Sequence, residues 1–216
     1  MMINGMTDSR TIKSALISVY HKEGLDEIIR ILAKMNVTIF STGGTLTYIR
    51  SLGVEAMSVE EITSYPSILG GRVKTLHPKI FGGILSRRDT EDDSVQLARY
   101  EIPEIDLVIV DLYPFEETVA SGAGETEIIE KIDIGGVSLI RAAAKNFHDV
   151  LIIPSRKHYS WLFELLKKKN GITGEDDRKR LAVEAFGISS HYDHAIFNYF
   201  NNPTVLRYGE NPHQSG

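Results

Sequence analysis

The sequence predicts an α/β fold of three layers, in which a mostly parallel sheet carries helices on both faces. Short apolar runs rich in β-branched residues alternate with longer segments whose apolar residues recur at helical spacing. One such helical segment joins the first two runs, and this β-α-β order is typical of parallel neighbours. Glycine-rich turns follow directly after strands, which is where α/β proteins bind their ligands.

Composition limits the class of protein. The 216 residues are 42% hydrophobic, which is enough for one main domain. The net charge is −5 with both signs interspersed, so we expect no nucleic-acid partner. Cysteine is absent, which excludes disulfides and fits a reducing compartment. Since no apolar span or signal-type N-terminus is evident, we expect a soluble, cytoplasmic protein without a membrane partner.

The first candidate site lies in the opening β-α-β unit. Residues 14–20 predict a buried strand, residues 25–35 a helix and residues 37–40 a second strand. Ser41-Thr42-Gly43-Gly44-Thr45 follows, where glycines free the backbone, hydroxyls can donate hydrogen bonds and a new helix directs its amide groups to the same point. This motif predicts a phosphate site, and a glycine turn with a threonine cap explains it equally well.

The second candidate site is the segment Gly70–Leu85. Arg72, Lys74 and His77 lie within six positions, glycines flank them, and an apolar run follows that would anchor the loop to a core. We interpret the segment as a binding loop. The alternative is a solvated basic loop in which His77 is a turn histidine before Pro78.

Residues 105–115 predict the central strand, which ends at Pro114. Ligands of open α/β sheets lie beyond the carboxyl ends of the strands. We therefore expect Asp111 and Tyr113 to face the same crevice as the Gly43-Gly44 turn. For Tyr113, the alternative is a half-buried aromatic residue at a strand end.

Shorter elements connect these segments. Residues 54–59 predict a third strand and residues 87–101 a surface helix with Leu97 and Tyr100 on its inner side. Residues 118–124 are small and predict a loop.

A glycine pair, Gly135-Gly136, opens an alanine-rich segment that predicts a helix with close backbone packing. Arg141 and Lys145 lie one turn apart near its end. A purely structural interpretation exists for each charged residue here. Asp133 would be an N-terminal cap of this helix, and Arg141 and Lys145 would interact favourably with the helix dipole.

The last third of the chain predicts a strand at residues 150–154 and helices at 158–169 and 176–200. His191 and His194 share a helix face, but no third ligand accompanies them, so we expect no metal site. The last helix is expected to pack through Leu181, Val183, Ala185, Phe186 and Ile188.

Four motifs occur in order along the chain: Gly71–Pro78 (GRVKTLHP), Asp111–Phe115 (DLYPF), Ile132–Gly136 (IDIGG) and Arg141–Asn146 (RAAAKN). Together they resemble the IMP cyclohydrolase domain of the bifunctional purine biosynthesis family, whose members also carry AICAR formyltransferase. The likeness runs from about residue 14 to residue 200 and implies a methylglyoxal-synthase-like α/β fold.

The resemblance also implies a domain organisation. Residues 1–13 would be an N-terminal extension, residues 14–200 the cyclohydrolase domain, and residues 201–216 a linker with the start of a missing formyltransferase domain. Leu206–Gln214 resembles the opening of that domain, where Arg207 and Tyr208 resemble substrate contacts. We expect a truncated chain without formyltransferase activity of its own.

The activity that the resemblance implies is a cofactor-free ring closure. Formyl-AICAR (FAICAR) loses water to become inosine 5′-monophosphate (IMP), the last step of de novo purine biosynthesis, in a homodimer. The implied catalytic group is Lys74, Tyr113, Asp133 and Lys145, with Lys145 serving the formyl oxygen. The implied substrate-binding residues are Ser18, Tyr20, His21, Lys22, Thr42, Gly43, Gly44, Thr45, Arg72, Val73, Thr75, Val110, Asp111, Ile134 and Gly135. The family often has Ser-Asp-Lys at Tyr20-His21-Lys22.

Two other functions are compatible with this fold. A regulatory domain would bind a phosphorylated effector without converting it, and would not need the four catalytic residues. A methylglyoxal synthase would act on a triose phosphate and would need a carboxylate base near the phosphate loop, but the purine-specific motifs match better.

Overall fold

The computed structural model describes residues 8–201 and contains two sheets. The strands are β1 (Arg10–Thr11), β2 (Ser14–Ser18), β3 (Thr38–Ser41), β4 (Met57–Ser58), β5 (Leu107–Val110), β6 (Leu151–Ile153) and β7 (Ile172–Thr173). The helices are α1 (Leu25–Lys34), α2 (Gly43–Ser51), α3 (Val59–Thr63), α4 (Pro78–Leu85), α5 (Glu91–Arg99), α6 (Phe115–Ala120), α7 (Glu125–Glu130), α8 (Gly135–Lys145), α9 (Tyr159–Lys169) and α10 (Glu175–Asn201).

The main sheet has five parallel strands in the order β4-β3-β2-β5-β6. Its middle strand β2 is buried on both faces, since the alternating residues Ala15, Leu16 and Ile17 are all inaccessible to solvent. Such two-sided burial is typical of parallel sheets covered by helices and explains why the strands are almost continuously apolar. Helix α1 packs against α9, while α8 packs against α4 and α10.

The register of the strands positions the site. Ser18 at the end of β2 pairs with Val110 at the end of β5, and Ile17 pairs with Ser41 at the end of β3. The three segments that leave these strands therefore emerge side by side at the carboxyl edge of the sheet.

The sequence overestimated two strands. The strand predicted at 105–115 ends at Val110, because the chain turns there and α6 begins directly after Pro114. It was predicted as the central strand, but it lies beside the middle strand β2. The strand predicted at 54–59 covers only β4, because Ser58 starts α3 through a reciprocal capping interaction with Glu61.

Several packing and loop predictions were also wrong. Tyr100 lies beyond the end of α5 and is exposed, as are Val183 and Phe186 on α10. Within the predicted loop 118–124, the chain as far as Ala120 belongs to α6.

The predicted boundary at residue 14 needs correction. Strand β1 pairs with β7 in a two-stranded antiparallel sheet, and Ile12 is buried in the main core. The folded unit therefore includes residues 10–13. Residues 1–7 and the motif Leu206–Gln214, with Arg207 and Tyr208, lie outside the described residues.

A second, smaller hydrophobic cluster joins α6 and α7 to α10. Its buried members are Phe115, Ile128, Tyr192 and Tyr199. The cluster holds the segment between β5 and α8 beside the carboxyl edge of the sheet. Among residues 8–201, no helix combines the length and apolar composition needed to cross a membrane.

Candidate active site

A cleft of about 600 Å³ opens beyond the carboxyl ends of β2, β3 and β5. This volume is in the range of small-molecule sites. Three of the expected catalytic residues line the cleft: Lys74, Tyr113 and Asp133. The expected substrate-binding residues that line it are Ser18, Tyr20, Lys22, Thr42, Gly44, Thr45, Arg72, Thr75, Asp111, Ile134 and Gly135.

The amide end of α2 forms one wall of this cleft. Thr42 is the N-cap in an extended conformation, and the helix begins with the Leu46 N–H donating to the Thr42 carbonyl at 3.3 Å. Gly43 has φ = +53°, a conformation that glycine adopts without strain. The Thr42 hydroxyl is buried and has no hydrogen-bond partner among residues 8–201. A buried hydroxyl beside unpaired helix amides is suited to bind an anion.

The Thr45 hydroxyl was expected to donate a hydrogen bond to a phosphate, but it binds the main chain instead. Its hydroxyl donates to the Val19 carbonyl at 2.8 Å and accepts from the Val19 N–H at 3.1 Å. The side chain therefore joins α2 to the end of β2 and is not free to donate to a phosphate. The contribution of Thr45 to an anion site is limited to its backbone amide.

Asp111 organises the loop after β2. Its carboxylate accepts from the backbone N–H groups of Tyr20 and His21 and pairs with His21 Nδ1 at 3.0 Å. Lys22 closes the same loop by donating to the carbonyls of Val19 and Tyr20 at 2.9 and 2.6 Å. Asp111 thus holds the loop in place, whereas the family resemblance implied that it binds the substrate.

Asp133 lies where α8 begins. Its carboxylate accepts from the Gly136 N–H at 2.6 Å, so the capping interpretation describes part of its role. Burial raises the pKa of Asp133, and the charge of Asp111 adds to this effect. The same pKa is lowered by the N–H of Gly136, by the backbone of Tyr113 and by the charge of Lys74. Asp133 and Lys74 line the same cleft, and the charge of Lys74 favours the ionised form of Asp133.

The glycine pair at the start of α8 permits this close approach. A Cβ on Gly135 would lie 2.9 Å from the Thr75 hydroxyl, and a Cβ on Gly136 would overlap the Asp133 carboxylate. The predicted close packing therefore occurs between the backbone of the two glycines and the side chains of Thr75 and Asp133.

Tyr113 and Tyr20 face each other at the cleft. Their ring centroids are 5.5 Å apart at an interplanar angle of 87°, and the ammonium group of Lys131 lies 5.5 Å from the Tyr20 ring centroid. Burial raises the pKa of Tyr113, and the charge of Asp133 adds to the rise. Tyr113 is therefore protonated at neutral pH and can donate a hydrogen bond.

Some of the residues that line the cleft were not predictable from the sequence. Glu130 forms an ion pair with Arg72 at the rim, where both side chains are exposed. This pair partly neutralises the positive charge expected from the loop. Ile129 and Leu139 also line the cleft, as do Ile132 and Gly136 of the motif Ile132–Gly136.

Five expected residues do not line the cleft. Val110 is buried in β5, Val73 forms a β-bridge with Ile68, and His21 faces Asp111. Gly43 is exposed beside the cleft, where a Cβ would approach Lys74 Nζ to 3.6 Å.

Lys145 is the fifth expected residue that does not line this cleft. It is exposed at the last residue of α8, whereas the first residues of that helix face the cleft. At 1.5 Å per residue, the two ends lie about 15 Å apart. Lys145 does not reach the cleft of its own chain.

The histidines have structural partners. The Nδ1 atom of His77 accepts from the Lys79 N–H at 3.2 Å and caps α4, in agreement with the turn interpretation. His191 pairs with Glu116 at 2.8 Å, and His194 stacks on Phe197. Within the described part of the chain, no cluster of three or more His, Cys, Asp or Glu side chains has the geometry of a metal site.

Two protein families match the chain. Residues 24–138 match the family described as MGS-like domain, and residues 143–216 match the family described as AICARFT/IMPCHase bienzyme. The first match contains Thr42, Lys74, Tyr113 and Asp133, and the second begins within α8.

Curated relatives extend beyond this chain. The bifunctional purine biosynthesis protein PurH of Bacteroides thetaiotaomicron is 61% identical over an alignment 223 residues long, which covers 98% of this chain and 44% of that protein. The protein of the same name from Aquifex aeolicus is 45% identical over an alignment 219 residues long, which covers 94% of this chain and 43% of that protein. The chain thus spans less than half the length of these relatives.

A solved structure agrees with these matches. The crystal structure of ForH superimposes with a TM-score of 0.78 at 32% identity, covering 90% of this chain and 98% of that one. The predicted α/β fold with a parallel sheet and methylglyoxal-synthase-like topology is therefore confirmed. The chain belongs to the MGS-like domain family, and the part that follows this domain matches the AICARFT/IMPCHase bienzyme family.

Proposed function

We propose that the chain is an IMP cyclohydrolase, which converts FAICAR to IMP and water without a cofactor. The observation that carries the proposal is the arrangement of Lys74, Tyr113 and Asp133 in one cleft with the amide end of α2. The relatives support it, because they are named as bifunctional purine biosynthesis proteins. The nucleotide would place its 5′-phosphate at Thr42 and its reacting groups near Asp133.

The residues fit the chemistry of ring closure. The carboxamide nitrogen of FAICAR bonds to the formyl carbon, and the formyl oxygen leaves as water with one proton from the carboxamide nitrogen and one from the formamido nitrogen. Asp133 is suited to accept the carboxamide proton, because burial raises its pKa and makes the carboxylate a stronger base. Lys74 and Tyr113 are suited to donate hydrogen bonds to the formyl oxygen as it gains negative charge. Holding both groups of FAICAR in a reactive pose supplies much of the acceleration.

An absorbance assay tests this function. The purified chain is mixed with FAICAR, and IMP formation is followed with no added metal or cofactor. We expect multiple turnovers. Binding of FAICAR or IMP without turnover would favour the regulatory domain, and activity on a triose phosphate would favour a methylglyoxal synthase.

We further propose that the functional unit is a homodimer in which Lys145 serves the cleft of a second copy. Lys145 is exposed and remote from its own cleft, so any role in ring closure requires another chain. The whole polypeptide would also carry the AICAR formyltransferase domain and work in the cytoplasm.

Co-expression of two variants tests the shared site. Lys74→Ala and Lys145→Ala should each lose most activity alone. In a symmetric dimer with random pairing, about a quarter of the sites in the mixture combine an intact Lys74 with an intact Lys145. We expect that share of wild-type activity to return. A mixture no more active than its components would contradict the shared site, and full activity of Lys145→Ala would remove Lys145 from the mechanism.

Thr42→Val tests the phosphate position. Valine keeps the shape of threonine, and the Thr42 hydroxyl makes no hydrogen bond with residues 8–201 that the substitution would remove. Because hydrogen bonds to charged groups are strong, we expect IMP to bind about 10- to 100-fold more weakly, as measured by calorimetry. Thr47→Val on the same helix is the control, since Thr47 is exposed and does not line the cleft. Equal affinity of wild type and Thr42→Val would contradict the assignment.

A further inference from the structure

A tyrosine outside the cleft holds the backbone that carries Asp133. Tyr192 lies on α10 and is 6% exposed. Its hydroxyl donates to the Lys131 carbonyl at 2.7 Å and accepts from the Asp133 N–H at 2.8 Å. The hydroxyl therefore bridges both ends of the turn between α7 and α8.

The ring of Tyr192 supports the neighbouring catalytic segment. Its centroid lies 6.1 Å from that of Phe115 at an interplanar angle of 69°. The Phe115 N–H donates to the Tyr113 carbonyl at 2.8 Å, so Phe115 is coupled directly to Tyr113. Tyr192 thus contacts the supports of two cleft residues without lining the cleft.

We infer that Tyr192 is a positioning residue for ring closure, whose hydroxyl fixes the main chain of Asp133 so that its carboxylate is aimed at the substrate. The inference rests on the proposed function. The Gly136 N–H fixes the carboxylate itself, at 2.6 Å. Asp133 is therefore held at two points, its main chain by α10 and its side chain by α8. Releasing the main chain leaves the carboxylate present but less accurately placed.

Tyr192→Phe removes the hydroxyl and keeps the ring. We expect kcat for FAICAR to fall about 10- to 100-fold while KM changes by less than about twofold, because small misplacements of reacting groups reduce turnover strongly. Tyr199→Phe is the matched control. Tyr199 belongs to the same hydrophobic cluster and is equally buried, and its hydroxyl forms no hydrogen bond with residues 8–201. Its kcat should remain unchanged.

The pH profile separates positioning from general stability. The pKa of Asp133 is affected by Lys74 from the loop before α4 and by Asp111 and Tyr113 after β5, and the charge of Asp133 in turn raises the pKa of Tyr192 on α10. A loosened turn admits water to the carboxylate and lowers its pKa, so the acid limb of kcat against pH should move to lower pH in Tyr192→Phe and stay in place in Tyr199→Phe.

Hydrogen exchange at the Asp133 amide provides a measurement that does not depend on a variant. In the wild type this amide should exchange more slowly than amides of exposed loops, and fast exchange would overturn the inference. An unchanged kcat and acid limb in folded Tyr192→Phe would also overturn it, provided that the wild type makes IMP. A wild type that makes no IMP refutes the proposed function instead.

Discussion

Asp133→Asn is expected to lower kcat for FAICAR ring closure by about 10²- to 10⁴-fold, the range typical for loss of a general base. Asparagine keeps an oxygen that can accept from the Gly136 N–H, so the cap survives while the base is lost. Steady-state kinetics at neutral pH measure the effect. Retention of wild-type kcat would show that Asp133 is only a helix cap.

The same substitution should not lower stability. Burial raises the pKa of Asp133 in the folded state, so the charged carboxylate reduces stability once the pH exceeds the pKa of the unfolded chain. Asparagine removes that charge. We therefore expect Asp133→Asn to be at least as stable as the wild type at pH 7. Any gain in stability should disappear below about pH 3, where Asp133 of the wild type is protonated in both the folded and the unfolded chain. Thermal unfolding at both pH values checks this sign.

Arg178→Met should produce the largest loss of stability. Arg178 is 1% exposed, and its guanidinium donates to five acceptors at 2.8–2.9 Å. The acceptors are the carbonyls of Asp8, Phe147, His148 and Thr173 and the Thr173 hydroxyl. Each buried acceptor left unpaired costs roughly 1–3 kcal/mol, and water can satisfy some of them. We expect a loss of about 3 kcal/mol or more in the free energy of unfolding, measured by urea titration.

Arg30→Met is the control for Arg178→Met. Arg30 is exposed on α1, and its side chain makes no hydrogen bond or ion pair with the part of the chain that the structure describes. Its replacement should change stability by less than about 0.5 kcal/mol. Equal effects of the two substitutions would show that the buried network does not stabilise the junction of β1, β7 and α10.

Features encoded by neighbouring residues were predictable from the sequence. The apolar runs of β2, β3, β5 and β6 fixed the parallel sheet, since buried parallel strands need apolar residues on both faces. The turn from Ser41 to Thr45 combines a strand end, glycines and a helix start in five positions, and Thr42, Gly44 and Thr45 line the cleft.

Features that depend on distant partners were not predictable. Arg178 and Tyr192 are single polar or aromatic residues on an ordinary helical pattern, and their partners lie up to 170 residues away. The short pairing of β1 with β7 likewise has no periodicity to detect. Motif likeness assigned a role to Lys145, but the length of α8 removes it from its own cleft. Val183 and Phe186 lie off the face of α10 that Leu181, Ala185, Ser189 and Tyr192 bury, and are exposed.

The central claim is that this cleft closes the ring of FAICAR through Asp133 and its neighbours. A single-turnover experiment with the chain in excess over FAICAR tests it most directly, because neither product release nor repeated binding affects the rate. The account predicts first-order formation of IMP far above the uncatalysed rate in the wild type, and a rate near the uncatalysed one in Asp133→Asn. Bound FAICAR that persists unchanged in the wild type, or equal rates in the two proteins, would contradict the account.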